Sequence, residues 1–419
     1  MTGVKKLYNR YLKNNLGLLN LFGKASGRVL FLLLTSFFAY QLSIEDFAVF
    51  ALFWTTIRML TYVSANNYYI IYFNEVRKSL IEEKKWSLKT TANIGITGLV
   101  FGLISTAIAY HIFKDIRITL LFFPSLLLFV AIRSLSEFSK ADNSVVLAIF
   151  IEDFLFYFLF FIFGIAGIFI SNNINSIVIA LFLALVITFI FCYILFIKKF
   201  KLDSIPLRLN WAYFSAKDFR LGVNYTFFRG NEFFANFGVR YFGLVYFGEL
   251  FVSYSHIMYQ FYNIFLLITI SVISGLQSRI TLHDNMVFNT SFVKKSYKNI
   301  LKIAAPFTVI IIISIYFFKD LILEIFFPKY VAYADLLMKV SLIGLLLMLI
   351  QPLVYILIYN KKMLNIHSVN IVQYATMILL FISPSLFMDF SEEIWLLLAM
   401  SAFVLVQGLF SVVTIRKTL

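Results

Sequence analysis

A single cysteine, Cys192, among 419 residues excludes an internal disulfide and a thiolate metal cluster. It sits in the apolar run FIFCYILF, where a thiol is expected to be buried and inert. The four histidines, His111, His256, His283 and His367, lack metal-ligand spacing and have no clear acid partner. No Walker-type glycine loop occurs in the basic connections, which argues against ATP drive within this chain. Acids are scarce, 21 against 36 lysines and arginines, and the deep ones are only Glu152, Asp153 and Glu232. The basic start VKKLYNRYLKNN is not followed by a small-residue cleavage site, and the next apolar run is too long and too charged for a secretory signal. A retained first span is expected.

What is abundant is apolar. Hydrophobic residues make up 61% of the chain and aromatics 19%, well above the ~45–50% apolar content of soluble domains. The reading is a polytopic membrane protein. Twelve apolar segments, each near the ~20 residues that cross a bilayer, fall at 20–41, 47–73, 91–112, 120–138, 145–170, 177–197, 222–247, 250–273, 300–318, 331–359, 366–388 and 394–415. Assigning alternate connections to opposite sides puts roughly 24 Lys/Arg on the N-terminal side and about 4 on the other, the positive-inside asymmetry. Both termini are therefore expected in the cytoplasm. The basic connections are 77–89, 198–220, 279–298 and 360–362, whereas the opposite ones are short and acidic, as in SIEDF, YFGEL and DFSEE. Topology and anionic leaflet lipids account for the formal charge of +15, so membrane lipids rather than nucleic acid are the expected partner.

The longest basic connection divides the chain. Residues 1–19 form a basic cytoplasmic or interfacial segment, 20–197 an N-terminal six-helix bundle, 198–220 a basic linker and 221–419 a C-terminal six-helix bundle. EDFAVFAL after the first span and GELFVSYS after the seventh share a pattern at an offset of about 203 residues, which places Arg229 between Lys24 and Arg28. Each half begins inside, so the repeats run parallel.

The first span carries Lys24 and Arg28 on one face, with Asn20 a turn before and Thr35 about two turns after. A cation near the bilayer centre costs at least about 2.5–3.5 kcal/mol, so such a face lines water or meets an anion. In the seventh span Tyr225, Arg229, Glu232, Asn236 and Arg240 fall within an arc of roughly 80°. The second span has Arg58 and Tyr62, flanked by Thr55 and Tyr69; the eighth has His256, Tyr259, Gln260 and Asn263 at helical spacing. The deep cations outnumber the deep acids. Arg229 and Glu232 are also at the spacing of a structural ion pair. Glu232, Glu152 and Asp153 are open to two readings, a site for a coupling proton or sodium ion, or static pairing; no other cofactor is expected. Arg133, Lys302 and Lys339 lie nearer predicted span ends, where snorkelling explains them.

The basic N-terminal segment, the charged first span, the turns LSIEDFAVFALF and FGELFVSYSH, and the tenth-span ending QPLVYILIYNKKMLNIHSVN resemble the O-antigen and polysaccharide flippases of the multidrug/oligosaccharidyl-lipid/polysaccharide exporter superfamily. The resemblance implies an all-α polytopic membrane protein with about twelve transmembrane helices in two six-helix bundles around a central cavity. It implies a bacterial inner membrane location and a polyprenyl-pyrophosphate-linked oligosaccharide carried from the cytoplasmic to the outer leaflet by alternating access. Downstream polysaccharide polymerase machinery would be a partner. Lys24, Arg28, Arg58 and Arg229 fit the family's pyrophosphate-binding cations; Tyr62, Asn236, Arg240, His256 and Gln260 complete the expected substrate-binding set. The chemistry agrees, because a pyrophosphodiester with about two negative charges needs charge-assisted hydrogen bonds to replace its hydration. Tyr62, Tyr69, Tyr225 and Tyr259 could stack on sugar faces or simply fill helix interfaces. Three alternatives stand beside it: a membrane polyprenyl-sugar glycosyltransferase or polymerase using the acids at 45–46, a small-molecule exporter of the same superfamily, and a scaffold. The largest outer connection, 319–329, is small and apolar for the first; a basic cavity would repel the second's cations.

Overall fold

The structure, a computed structural model, describes residues 16–83, 85–139, 150–203, 205, 209–275, 288–359, 366–386 and 391–418. Among the described residues twelve long helices, α1 to α12, follow one another: Leu16–Gln41, Ile44–Ala65, Leu88–Phe113, Ile116–Ser139, Phe156–Ile170, Ile174–Phe200, Ala216–Phe247, Glu249–Gly275, Thr290–Phe326, Ala334–Tyr359, Ile366–Leu386 and Glu392–Thr418. Each coincides with one of the twelve apolar segments read from the sequence. The chain is an all-α polytopic membrane protein. Among the described residues nine helices are long and apolar enough to cross a membrane, and α1, α7 and α11 are outside that set. Two of these three, α1 and α7, carry the ionic stripes. The basic N-terminal segment lies largely outside the described residues, as do 145–149 of the fifth expected span.

Local chemistry sets the ends. Ser43, Ser87, Asn173 and Asn289 cap α2, α3, α6 and α9 by accepting from a backbone N–H three residues on. Acids occupy the first turns of α2, α8 and α12, at Glu45, Asp46, Glu249, Glu392 and Glu393, where the helix dipole favours them. The acidic turns of the sequence are thus helix starts. Buried hydroxyls turn back on their own helix, as Thr55 Oγ1 does to the Ala51 carbonyl at 2.7 Å, because lipid offers no partner.

Two boundaries differ from expectation. The second helix ends at Ala65 rather than near residue 73, because Asn66 and Asn67 both adopt left-handed backbone, φ 45° and 49°. Asparagine tolerates that region, and two in succession end the helix; short helices at Tyr68–Ile71 and Phe73–Lys78 follow. The ninth helix is longer, reaching Phe326 through a kink at Phe318 (φ −122°, ψ 15°), so most of the apolar stretch expected as an outer loop is helix.

The chain forms two compact units, one spanning Ser26–Phe237, the other Gly238–Leu419 with the part of α1 up to Ala25. Within the first, α2 packs on α3 and α4, α3 on α4, and α6 on α4 and α5. Within the second, α8 packs on α9 and α10, α9 on α10, and α12 on α10 and α11. Shifting every helix number by six turns one list into the other. The packing of α2–α6 thus recurs in α8–α12, except that α6 also packs on α2.

Aromatic side chains fill the first unit. Trp54 stacks on Phe31 with ring centroids 4.5 Å apart and lies over Phe160 at 6.0 Å. Such pairs are worth about 0.5–1.5 kcal/mol beyond burial. Backbone also approaches backbone: a Cβ on Gly27 of α1 would stand 1.6 Å from the Asp153 carbonyl oxygen in the π-helical turn Phe150–Leu155. Small residues permit this approach where lipid gives helices no hydrophobic reason to associate. In the second unit Gln351 of α10 donates to Gln407 of α12 at 2.8 Å, a polar tie of the same purpose.

The connection leading into α7 is held to the first unit by polar contacts. Asn93 donates to the carbonyls of Lys89 (2.9 Å) and Tyr213 (2.8 Å) and accepts from the Ser215 amide (3.0 Å). Asp218 takes a hydrogen bond from Tyr72 (2.9 Å) and pairs with Lys89 (3.0 Å). Burial works to raise the Asp218 carboxyl, but hydrogen bonds with Lys89, Tyr72 and Ser215 outweigh it and hold the group below the usual aspartate range.

Candidate functional site

In the first unit the site is built by α2 and α4. Arg58 and Tyr62 are one turn apart on α2, and Arg133 reaches them from α4. Arg133 Nη2 donates to the Tyr62 hydroxyl at 2.7 Å and to the Tyr69 hydroxyl at 3.3 Å, and its guanidinium lies 3.9 Å from the Tyr62 ring centroid. Tyr69 in turn donates to Asn67 Oδ1 (2.7 Å), and Asn67 Nδ2 donates to Thr226 Oγ1 of α7 (3.0 Å). The asparagines that stop α2 are therefore also what aims the tyrosine at the arginine. Arg58 is packed among π-faces, 5.7 Å from Trp54, 5.9 Å from Phe129 and 6.0 Å from Phe233. It has no carboxylate partner among the described residues.

Arg58, Thr61 and Arg133 line a small cavity of about 20 Å³ whose other walls are Phe129, Ile132, Phe156 and Leu185. That is room for about one water, well short of a ligand pocket of ~300–1,000 Å³. A phosphate enters only if the helices around it part. Two guanidiniums over apolar walls make an electropositive pocket in which a charge-assisted hydrogen bond is stronger than in water.

Arg133 corrects the sequence reading, which assigned it to snorkelling. The side chain turns inward because two tyrosine hydroxyls and a π-face satisfy it there. The signal was the polar run around it: Ser134, Ser136 and Ser139 are all buried, marking a stretch of α4 enclosed by protein rather than lipid. Tyr62 differs too, since its ring is taken by Arg133 on one side and Phe233, 4.0 Å away between centroids, on the other.

Lys24 and Arg28 are half-buried on α1, and Asp153 is half-buried in the turn before α5. Asn236 of α7 is half-buried with no hydrogen-bond donor to its Oδ1 among the described residues. The side chains of Tyr225, Arg229 and Glu232 on α7, and of Glu152, lie outside the described residues.

The second unit brings together a separate group from α7 and α8. Arg240 is 2% exposed, His256 0% and Gln260 8%. Gln260 Nε2 is 3.1 Å from His256 Nε2, and the Arg240 guanidinium lies 5.3 Å from the Tyr259 ring. Of the expected substrate-binding residues, Arg58 and Tyr62 are thus grouped in one unit and Arg240, His256 and Gln260 in the other. Among the described residues no group of three or more metal-binding side chains occurs.

No protein-family model matches the sequence. A comparison with curated proteins likewise returns no match. Solved structures do match in fold. The lipid II flippase MurJ in an inward closed conformation superposes with a TM-score of 0.69 at 15% identity, covering 95% of this chain and 87% of that one. A multidrug resistance MATE family transporter of the MOP superfamily, inward-facing, gives 0.65 at 14% identity over 93% of both chains. A MOP superfamily transporter from Pyrococcus furiosus gives 0.58 at 13% identity, covering 96% of this chain and 93% of that one; its description reports a binding pocket of reverse polarity suggesting a different function. At these identities the likeness is one of fold. The neighbouring structures have twelve membrane helices in two bundles.

Proposed function

We propose that the chain is a transporter that carries a lipid-linked oligosaccharide, held through its pyrophosphate, across the membrane by alternating access. The observation that carries this reading is the Arg58–Arg133 pocket, two arginines lining one cavity inside a membrane-embedded helix bundle, with no carboxylate beside Arg58 among the described residues. A cationic drug would be repelled there, whereas a phosphate would gain two charge-assisted contacts. The fold supports transport, since its neighbours include a lipid II flippase and multidrug transporters, and the reverse-polarity pocket reported for one neighbour shows that this fold accepts different pocket charges. Lys24, Arg28, Arg229 and Asn236 are the further substrate-binding residues that the sequence reading supplies. The pocket has room for about one water, so the pyrophosphate enters it as the helices part during the cycle and the sugars stay outside. Asp153, Glu152 and Glu232 are the acids through which a proton or sodium ion would drive the cycle. A bacterial inner membrane and a polysaccharide assembly pathway are the setting this substrate requires.

The test is flipping of a labelled polyprenyl-pyrophosphate oligosaccharide in proteoliposomes, at matched insertion, for wild type and for Arg28→Gln, Arg58→Gln, Arg133→Gln and Arg229→Gln. A charged hydrogen bond is worth about 1.5–3 kcal/mol, so loss of Arg58 or Arg133 should slow flipping roughly 10- to 100-fold. Undiminished flipping in all four variants would make these cations structural. No flipping by wild type would return the exporter and glycosyltransferase readings.

A further inference from the structure

The turn after α2 carries more backbone strain than ending a helix requires. Lys114 after α3 and Lys201 after α6 each end their helix with a single left-handed residue, φ 52° and 54°, whose N–H caps the last turn. Asn66 does the same for α2, its N–H donating to the Val63 carbonyl at 3.1 Å. Asn67 then repeats the left-handed conformation where α2 has already stopped. A strained residue persists where its surroundings hold it, and such residues gather at sites that switch.

What holds it is α7. Gly222 comes so close that a Cβ there would clash with the Asn66 carbonyl oxygen and side-chain Nδ2. Asn66 Nδ2 donates to the Phe219 carbonyl at 3.1 Å, and Asn67 Nδ2 donates to Thr226 Oγ1 at 3.0 Å. Residues 222 and 226 share one face of α7, so that face is seated on the asparagine pair. At the other end of the Asn67 carboxamide, Oδ1 accepts from the Tyr69 hydroxyl (2.7 Å), which accepts in turn from Arg133 Nη2 (3.3 Å). Every link runs the same way, from guanidinium to phenol to carboxamide oxygen, and from carboxamide N–H to threonine. Asn67, Tyr69 and Thr226 are 1%, 5% and 4% exposed, so water does not readily replace a broken link. All these residues belong to the first unit. The series joins α7 to the wall of the Arg58–Arg133 cavity, which in this state admits about one water.

We propose that Asn67 is a positioning residue that latches this cavity. With α7 seated, the relay holds Arg133 against the Tyr62 and Tyr69 hydroxyls; when the first turns of α7 shift, the guanidinium is released for an incoming anion. A tyrosine hydroxyl is a neutral acceptor, and a charged phosphate oxygen makes the stronger bond once it is within reach. The anion's identity as a pyrophosphate rests on the proposed function, whereas the latch rests on the relay.

The test needs no substrate. Thr61 lines the cavity and is 3% exposed, so Thr61→Cys in a Cys192→Ser background reports opening through its rate of modification by a small sulfonate-bearing methanethiosulfonate in detergent. Thr226→Val keeps the shape and removes the acceptor, Asn67→Gly keeps the left-handed backbone and removes both links, and Tyr69→Phe keeps the ring. Each should be modified roughly 2- to 10-fold faster than the parent, as loss of a hydrogen bond predicts, while Thr226→Ser, which retains the hydroxyl, should match it. Thr226→Val added to Tyr69→Phe should bring no further acceleration, because the relay is already cut. Cys192, buried in α6 of the same unit, is the control in the otherwise native chain, and Thr226→Val should leave its modification rate unchanged. Equal rates for Thr226→Val and Thr226→Ser, a further acceleration in the double variant, or a matching acceleration at Cys192 would each overturn the latch. A wild type that flips no oligosaccharide while these rates hold would overturn the pyrophosphate assignment and leave the latch standing.

Discussion

At the scale of single residues the chain is decided by close approach and by charge without room. Gly27 is the sharpest case: any side chain there would drive into the Asp153 carbonyl, 1.6 Å from an ideal Cβ. Gly248 is the contrast, with nothing within 4 Å of its Cβ position and only a positive φ to satisfy. Gly27→Ala should therefore destabilise by overpacking, about 1–3 kcal/mol or more, while Gly248→Ala should cost only the backbone strain of roughly 1 kcal/mol. Melting both variants in one detergent would check the order; an equal or reversed loss would mean that α1 does not pack on this turn. Arg133 belongs to this scale as well. Five residues from the end of its apolar segment, it reads as a snorkelling cation, and only the positions of the Tyr62 and Tyr69 hydroxyls turn it inward.

Among elements, the connection into α7 behaves as part of the first unit rather than as a free linker. The Asp218 carboxylate ties it to Lys89 on α3 and to Tyr72 after α2. Because its folded-state pKa lies below the ordinary aspartate value of about 3.9, its contribution to stability is complete above that value and is lost as pH falls through the lowered one. Hydrogen exchange of residues 213–219, corrected for intrinsic rates, should stay constant near neutrality and quicken only at acid pH. Asp218→Asn should exchange faster at neutral pH and lose most of that acid limb. A wild-type profile flat into strong acid would show that the carboxylate does not hold the connection.

For the whole molecule, the packing of α2–α6 recurs in α8–α12, and the orientation expected from the positive-inside asymmetry can be tested directly. Cys192 is buried, so a Cys192→Ser background leaves single introduced thiols as reporters. Asn172→Cys, exposed between α5 and α6, should react with a membrane-impermeant maleimide in intact cells; Lys85→Cys, exposed between α2 and α3, should react only after permeabilisation. The opposite pattern would invert the topology and with it the direction of transport.

The all-α membrane class, the twelve apolar segments that the long helices occupy and most of their approximate limits were legible in sequence alone. The physical reason is that lipid imposes its demand on each segment separately: about twenty apolar residues, satisfied backbone, and no charge without cause. The sequence also carries the asparagine pair that ends α2, but a span count by hydropathy runs past it, since Tyr68 to Tyr72 are as apolar as the helix before them. Only the tertiary structure decided which cations meet. Helical periodicity places Arg58 and Tyr62 on one face of α2, yet Arg133 arrives from a helix 71 residues away from Tyr62, and periodicity carries no information across that gap. Likewise Arg240 and His256 read as members of one polar path, and the packing of their hairpin encloses them instead, because burial belongs to neighbouring helices and not to the segment that carries the charge.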